Sequence, residues 1–467
     1  MKKKRIMMIL AGLCLGGSAA FFSVHAAQIV TYQKYPLVMD KRYYVPSAAA
    51  DKKIFPNGLN AAFGSGLSFE GYTQEGAPRL LTITDRGPNL DGMDVIYNGK
   101  KYTSKLFPAP DFHPEIGEVV LADGKAAVVK VMPIKDPSGN AISGRPVPPG
   151  ETGSSGEVAL SSDLKLLPFD ENGLDTEAIA RDRDGNIWIS DEYGPFVVKM
   201  DRQARILEKY SPKNGLPAIA GERTPNRGAE GLTIMPNGHI LFLVQSILTN
   251  GGKTKNAVVC RLFDWNPTDC TYKTYAYPLE GTYKKMGDAK LGDAYAIDNH
   301  RVLIIEQGKQ ADKSMMNRVY MVDLSTGTDV TNTKINGKDI EFASREELAP
   351  YLPVKTLIAD LRRYGWDTEK AEGLTMSYDH KTMFVSNDND FGIATTVRDA
   401  AHKKAKISDY TYDAASGMIY YQDKTGRNVP AHPQIDMEVG PDTPQIWSFT
   451  FDRSLDGVHS SARGNKQ

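Results

Sequence analysis

The chain has 467 residues, with 56 Lys and Arg against 57 Asp and Glu, for a formal net charge of −1. That balance offers no basic excess for nucleic acid or an anionic membrane surface. Its eight histidines are scattered, which argues against an imidazole-rich transition-metal centre.

The chain begins with a basic head, Met1 to Arg5, then an apolar run from Ile6 to Phe22, then Ser23-Val24-His25-Ala26-Ala27. This is the pattern of a Sec-type signal peptide over residues 1–26, cleaved after Ala26 for periplasmic or secreted delivery. Gly12, Gly16, Gly17 and Ser18 dilute the run and no basic stop-transfer flank follows, so a spanning helix is disfavoured. Leu13 stands before Cys14 where a lipoprotein site needs a small residue. Cleavage would take the formal charge from −1 to −5, because Lys2, Lys3, Lys4 and Arg5 leave with the signal. It would leave Cys260 and Cys270, which flank Arg261 to Asp269 and are expected to close a structural disulfide across a hairpin. No nearby histidine completes a zinc site there.

Four later segments share one pattern: an acid, a short apolar strand, a turn, a second apolar strand, and another acid or amide. They are Glu177 to Glu192, Glu230 to Gln245, Asp293 to Glu306 and Glu372 to Asn387; Gly66 to Asp85 is a looser fifth copy. Further strand-like stretches, Phe196 to Met200, Val258 to Phe263, Arg318 to Asp323 and Gln445 to Phe451, suit outer strands of four-stranded antiparallel blades. Ser344 to Tyr351 and Val354 to Tyr364 read as short helices. The sequence therefore predicts an all-β fold, a β-propeller of six blades with seven as the alternative, in one domain over 27–453. Asp136 to Gly156 reads as a surface loop, and 454–467 as a polar disordered tail.

Hairpin register places the acids. Centring turns on Asp184-Gly185, Asn237-Gly238 and Asp379-His380 pairs Glu177 with Glu192, Glu230 with Gln245, and Glu372 with Asn387. Paired residues face the same way with Cβ atoms roughly 4.5–5.5 Å apart. Centring on Asn299-His300 pairs Asp293 with Glu306 one residue nearer the turn, which requires a bulge to keep the face. First strands of propeller blades line the central channel, so these acids should ring one mouth. Oxygen-rich clusters on rigid strand ends suit a hard cation such as Ca²⁺. The competing reading has the acids capping strand ends through backbone amides. Arg86, Arg227 and Lys370 lie close to the acids and would either bind an anionic substrate group or neutralise the ring. Ser386 to Gly392 is a further oxygen-rich loop without EF-hand spacing. No Gly-x-Ser-x-Gly elbow, His-Glu-x-x-His motif or P-loop occurs, which leaves a carboxylate or a metal-activated water as base.

Asp85-Arg86-Gly87-Pro88-Asn89, Glu177-Ala178-Ile179 with Ser190 to Pro195, Asn226 to Leu232, and Lys370 to Thr375 resemble the motifs of the phytase-like family, "esterase-like activity of phytase". The resemblance runs from about Gly64 to Phe451. It implies an exported propeller with Glu and Asp at a phosphoesterase site, acting on a small-molecule ester. Calcium would be held by Glu177, Glu230, Glu372 and Asn387, with Asp293 and Glu306 as further ligands. Glu192, Asp191 or Asp85 would serve as base, and Arg86, Arg227 or Lys370 would bind phosphate. A lactonase or carboxylesterase using the same ring, or a non-catalytic binding propeller with structural calcium, are the alternatives. The sequence displays no dense Lys/Arg cluster of the kind a highly phosphorylated inositol demands.

Overall fold

Each of the five repeated segments folds as the inner hairpin of a four-stranded antiparallel sheet in the computed structural model, which describes residues 27–458 apart from 441. The expected signal peptide lies outside the described residues. Sheet I comprises Phe63–Tyr72, Pro78–Thr84, Glu115–Ala122 and Lys125–Pro133. Sheet II comprises Thr176–Arg181, Ile187–Asp191, Phe196–Met200 and Ile206–Tyr210, and sheet III Ala229–Ile234, Ile240–Val244, Val259–Trp265 and Tyr272–Pro278. Sheet IV comprises Lys290–Ala296, Arg301–Lys309, Met315–Asp323 and Val354–Asp360. Sheet V takes Leu374–Met376, Thr382–Ser386 and Gln445–Phe451, and its outer strand is Ile29–Met39 from the other end of the chain.

The middle strands are apolar on both faces because each sheet is sandwiched between two others. Ile187–Asp191 and Ile240–Val244 are buried along their whole length. One core cluster joins Ile83 and Ile116 of sheet I to Ile189 and Val198 of sheet II. Trp188 and Phe242 pack together between II and III, and Leu243 with Ile304 between III and IV. Ile305 and Trp447 bridge IV and V, and Phe384 with Phe69 bridges V back to I. Each buried large apolar side chain contributes on the order of 1.5–3 kcal/mol, so these seams hold the arrangement. The result is a β-propeller-like ring. Among the described residues it closes with five sheets, where six were expected.

Inner strands approach closely at the ring's centre. A Cβ on Gly231 would lie 2.6 Å from the Gly292 carbonyl oxygen, and one on Gly373 2.9 Å from the Gly66 carbonyl carbon. The glycine of each Glu-Gly-Leu is thus required by packing. Two insertions leave the mouth end of adjacent sheets: residues 85–114 from sheet I and 387–444 from sheet V. They pair in parallel, Thr411–Asp413 beside Asp94–Ile96, and form a cap beside the mouth.

Several expectations are corrected here. Val354–Asp360 is a strand, since Val354, Thr356 and Ile358 alternate at the period of a sheet edge; Arg345–Leu348 is the helix expected nearby. The tail is ordered through 458: Leu455 and Val458 are buried, and Arg301 donates to the Val458 carbonyl at 2.8 Å. Residues 459–467 lie outside the described residues. Cys260 and Cys270 are unpaired. Cys260 stands opposite Tyr277 while Cys270 lies beyond Tyr272, so the two are separated by five or more strand residues, roughly 17 Å. A disulfide needs Cα atoms within about 7 Å.

Candidate functional site

The mouth is built by two sets of residues: those at the start of the first strands and those following the second strands. Sheets II and III carry an irregularity at the start of the inner hairpin, between Thr176 and Ile179 and between Ala229 and Leu232. The hairpin loops are three residues long, Arg183 to Gly185 and Pro236 to Gly238, each ending in a left-handed glycine. This loop and the bulge shift the ladder, so Thr176 faces Asp191, and Ala229 faces Val244. The predicted pairs are therefore neighbours across the hairpin without being directly opposed. The bulge turns Glu177 and Glu230 toward the channel. In sheet V the predicted register holds from Leu374 to Met376, but at the mouth the Glu372 N–H and the Gly373 carbonyl both bond Ser386, so Glu372 is not held directly opposite Asn387.

Glu177, Glu230 and Glu372, all buried, each offer a carboxylate oxygen within 4.8 Å of the others. Two further groups of the same compactness, Asp85 with Asp175 and Glu177, and Asp85 with Asp388 and Asp390, continue from them. All line one cavity of about 450 Å³, together with Glu192, Gln245, Asn89, Asp91, Asn226, Arg86, Lys105, Arg227, Lys290 and Lys370. Nine carboxylates thus face five basic groups.

The bases are partly committed. Buried Arg86 reaches Glu157 at 3.0 Å, Asp175 at 3.3 Å and the Tyr193 hydroxyl at 3.2 Å through Nη1. Lys370 pairs with Asp388 at 2.7 Å and Asp390 at 2.9 Å. Arg227 donates to the Gly287 carbonyl at 3.0 Å. The Gln245 amide Nε2 joins two acids, donating to Glu192 Oε1 at 2.8 Å and to Glu230 Oε2 at 2.9 Å. Its buried Oε1 has no hydrogen-bond partner.

Charge crowding sets the protonation. Burial, then neighbouring carboxylates, push the Glu177 and Glu192 carboxyls well above the usual range. Burial, reinforced by Glu372, takes Glu230 up to about 8, while burial takes Glu372 and Asp388 up to about 7. Asp390 is held down to about 2 by Lys370.

Four expected site residues lie elsewhere. Asp191 is tied to backbone, accepting from Asp175 at 2.5 Å and Gly194 at 2.9 Å. Asn387 clips the Gln445 N–H at 2.8 Å. Glu306 is buried against the Tyr277 and Tyr283 hydroxyls at 2.8 and 2.6 Å and pairs with Lys355. Asp293 accepts from the N–H groups of Leu232, Ala294 and Leu374. None of the four lines the cavity. Conversely, Asp175, Lys290, Asp388 and Asp390 do, and sequence reasoning gave none of them a role. Asp175 and Lys370 occupy one equivalent position, two residues before Glu177 and Glu372, a signal the repeats carried, and Lys290 lies three before Asp293.

A model of the phytase-like family, "esterase-like activity of phytase", matches residues 62–391, more than half of the chain. An uncharacterized secreted protein of Arthroderma benhamiae is 28% identical over 261 residues, covering 45% of this chain. The match spans 49% of that relative, about half its length. Among solved structures, a protein from Lactobacillus plantarum is 10% identical with a TM-score of 0.31, covering 83% of this chain and 90% of that one. The catalytic domain of a GH62 α-L-arabinofuranosidase from Coprinopsis cinerea is 8% identical with a TM-score of 0.36, covering 91% and 98%.

Proposed function

The chain belongs to the phytase-like family, and from that premise we propose that it is an exported, metal-assisted hydrolase, specifically a calcium-dependent phosphoesterase. One observation carries the reading: three buried glutamates from three different sheets converge beside an unpartnered amide oxygen, in a cavity with excess negative charge. Ligands of one calcium at about 2.4 Å are at most about 5 Å apart. The Glu177, Glu230 and Glu372 oxygens all lie within 4.8 Å of one another, inside that limit. Gln245 Oε1 is a neutral oxygen donor in the same cavity, so the donor set fits a hard cation.

When bound, the ion would polarise an ester's phosphoryl oxygen and acidify an attacking water. The chain supplies the rest. Glu177, Glu230 and Glu372 would hold the cation, with Asp85 and Asp175 extending the oxygen set. Glu192, which accepts from the Gln245 amide, would act as the base that takes the attacking water's proton. Arg227 and Lys290 face the same cavity and would bind the phosphate oxygens. Arg86, spent on Glu157 and Asp175, would position the acids and not the substrate. Export is supported by the leader-like first residues and by the secreted relative; no helix among the described residues is long and apolar enough to cross a membrane.

The test is a hydrolysis screen of phosphate mono- and diesters, lactones and acyl esters, with calcium and with EDTA. Calcium-dependent turnover of a phosphate ester is expected, with at least a hundredfold loss of kcat in Glu230→Gln and Glu372→Gln, since each removes charge from the ion's shell. Turnover of lactones or acyl esters alone would redirect the assignment to the carboxylic-ester alternative. Full activity in both variants would remove the ring from the mechanism.

A further inference from the structure

A second cavity, of about 590 Å³, lies on the flank of the ring where sheets V and I meet. Its walls are 42–49, the stretch after the outer strand of sheet V, and 109–115, the return from the cap into the third strand of sheet I. The Ala48 N–H donates to the Pro108 carbonyl at 2.8 Å and holds the two stretches together. Phe112 packs over Gly87 and edge-on to Phe391 at 5.4 Å, so it walls this cavity off from the acidic mouth. The two cavities share no lining residue.

The lining is rich in hydrogen-bond acceptors and has few donors left. Gly117, two residues after Glu115 on the same strand, lies against Phe63 of the core between V and I, and strand alternation sends the Glu115 side chain out on that same side. Among the described residues no hydrogen bond or ion pair reaches its carboxyl, and burial alone pushes it up to about 7. His113 Nδ1 lies 2.6 Å from the Ile142 carbonyl oxygen, which makes it the donor there and leaves Nε2 as an acceptor. Tyr43 and Ser47 spend their hydroxyl protons on the Val129 and Phe55 carbonyls. The N–H groups of Val45, Phe112 and Glu115 are spent as well, on Leu59, Ala109 and Thr84. Asp111 adds an exposed carboxylate at the rim. The cation of the lining is Arg42, also exposed, which lies over the Tyr43 ring at 4.7 Å. Asp111, His113 and Glu115 do not converge within 4.8 Å, so they form no cage for a bare metal ion.

A concavity of this size, with apolar walls and a few acceptors, suits a small organic molecule that brings its own donors. The walls include Val45, Ala109 and the aromatic rings of Tyr44 and Phe112, surfaces that favour an organic cation over a strongly hydrated inorganic one. We infer that this cavity is a binding site for a small organic ammonium ion, its N–H groups bonded by Glu115 and its apolar body resting against Tyr44 and Phe112. The site is separate from the acidic cavity and stands whether or not the hydrolase reading does.

Calorimetric titration with phenethylamine hydrochloride tests the site, with hydrocinnamate as a probe of similar shape and opposite charge. Wild type should bind the amine and not the carboxylate. Its affinity should rise as pH climbs through about 7, because the amine must displace the Glu115 proton. Arg42, Asp111 and His113 face the same space, and Glu115→Gln separates its titration from theirs. That variant should bind about tenfold more weakly and lose most of the pH dependence. Glu230→Gln/Glu372→Gln, which alters only the acidic mouth, should bind as wild type does. Arg42→Gln, a change at an exposed residue, should bind about two- to threefold more tightly, since it removes a cation from the rim. No binding of the amine, equal affinity in wild type and Glu115→Gln, weaker binding in Arg42→Gln, or loss of binding in the mouth variant overturns the site.

Discussion

Asp293 shows how one position in a repeat changes role. Its Oδ1 accepts from Leu232 at 3.2 Å and Ala294 at 2.8 Å, and its Oδ2 from Leu374 at 3.0 Å, so it ties sheets III, IV and V where their inner strands converge. Burial pushes its carboxyl well above the usual range. Asp293→Ala would leave these buried N–H groups without partners, at about 1–3 kcal/mol each. A loss of at least roughly 3 kcal/mol in denaturant unfolding is expected, with most of it regained in Asp293→Asn, which keeps an acceptor. Calcium affinity should be unchanged in the Asn variant; a well-folded Asn variant that lost calcium would return Asp293 to the ligand set. The sequence carried the offset that separates Asp293 from Glu177, Glu230 and Glu372, because its hairpin is out of phase by one residue. What that residue meets there, the amides of Leu232 and Leu374 from two other sheets, depends on strands distant in sequence and was not legible.

Among the elements, Ile29–Met39 has the most distinctive position. It pairs antiparallel with Gln445–Phe451 from Ile29 to Pro36, then parallel with Lys125–Pro133 from Leu37 to Met39. One strand thereby joins the first sheet to the last and closes the ring without a covalent bond. Its outer face is mostly exposed, so its contribution is edge pairing more than core. Deleting residues 29–39 should open the seam, exposing an unpaired edge on Gln445–Phe451; a lower Tm and concentration-dependent association by light scattering are expected. An unchanged Tm would show that the seam between sheets V and I is held by Phe69 and Phe384 alone. This strand gives no repeat signal, which is why its partner could not be read in advance. The inner hairpins could be read, since their alternation and turns are local, and the five copies correspond to the five four-stranded sheets of the ring among the described residues. Register erred in sheets II and III because an Asp-Gly or Asn-Gly pair also suits a three-residue loop with a left-handed glycine. The cap strands, short and lacking the repeat, left no comparable trace.

At the scale of the whole molecule, the ring is an electrostatic device whose stability depends on what fills it. Glu230 moves from 4.5 to about 8 and Glu372 from 4.5 to about 7, chiefly through burial, with Glu177 and Glu192 also pushed well up. The folded, metal-free protein therefore keeps protons that the unfolded chain releases above its ordinary carboxylate values. Where the native state binds more protons, stability falls with rising pH. The contribution of these groups is complete below the unfolded value of 4.5 and is lost as pH climbs through the folded values of about 7 to about 8. A bound cation acts in the opposite sense, because it favours the ionised oxygens and must displace their protons, so its affinity grows with pH. Thermal melts in EDTA should show Tm falling between about pH 5 and about pH 8, and the gap between calcium and EDTA melts should widen over that interval. Glu230→Gln/Glu372→Gln, which cannot ionise at these positions, should flatten the EDTA curve and narrow the gap. If the gap were absent at about pH 8, the converging glutamates would be a self-neutralised structural core and not a cation site.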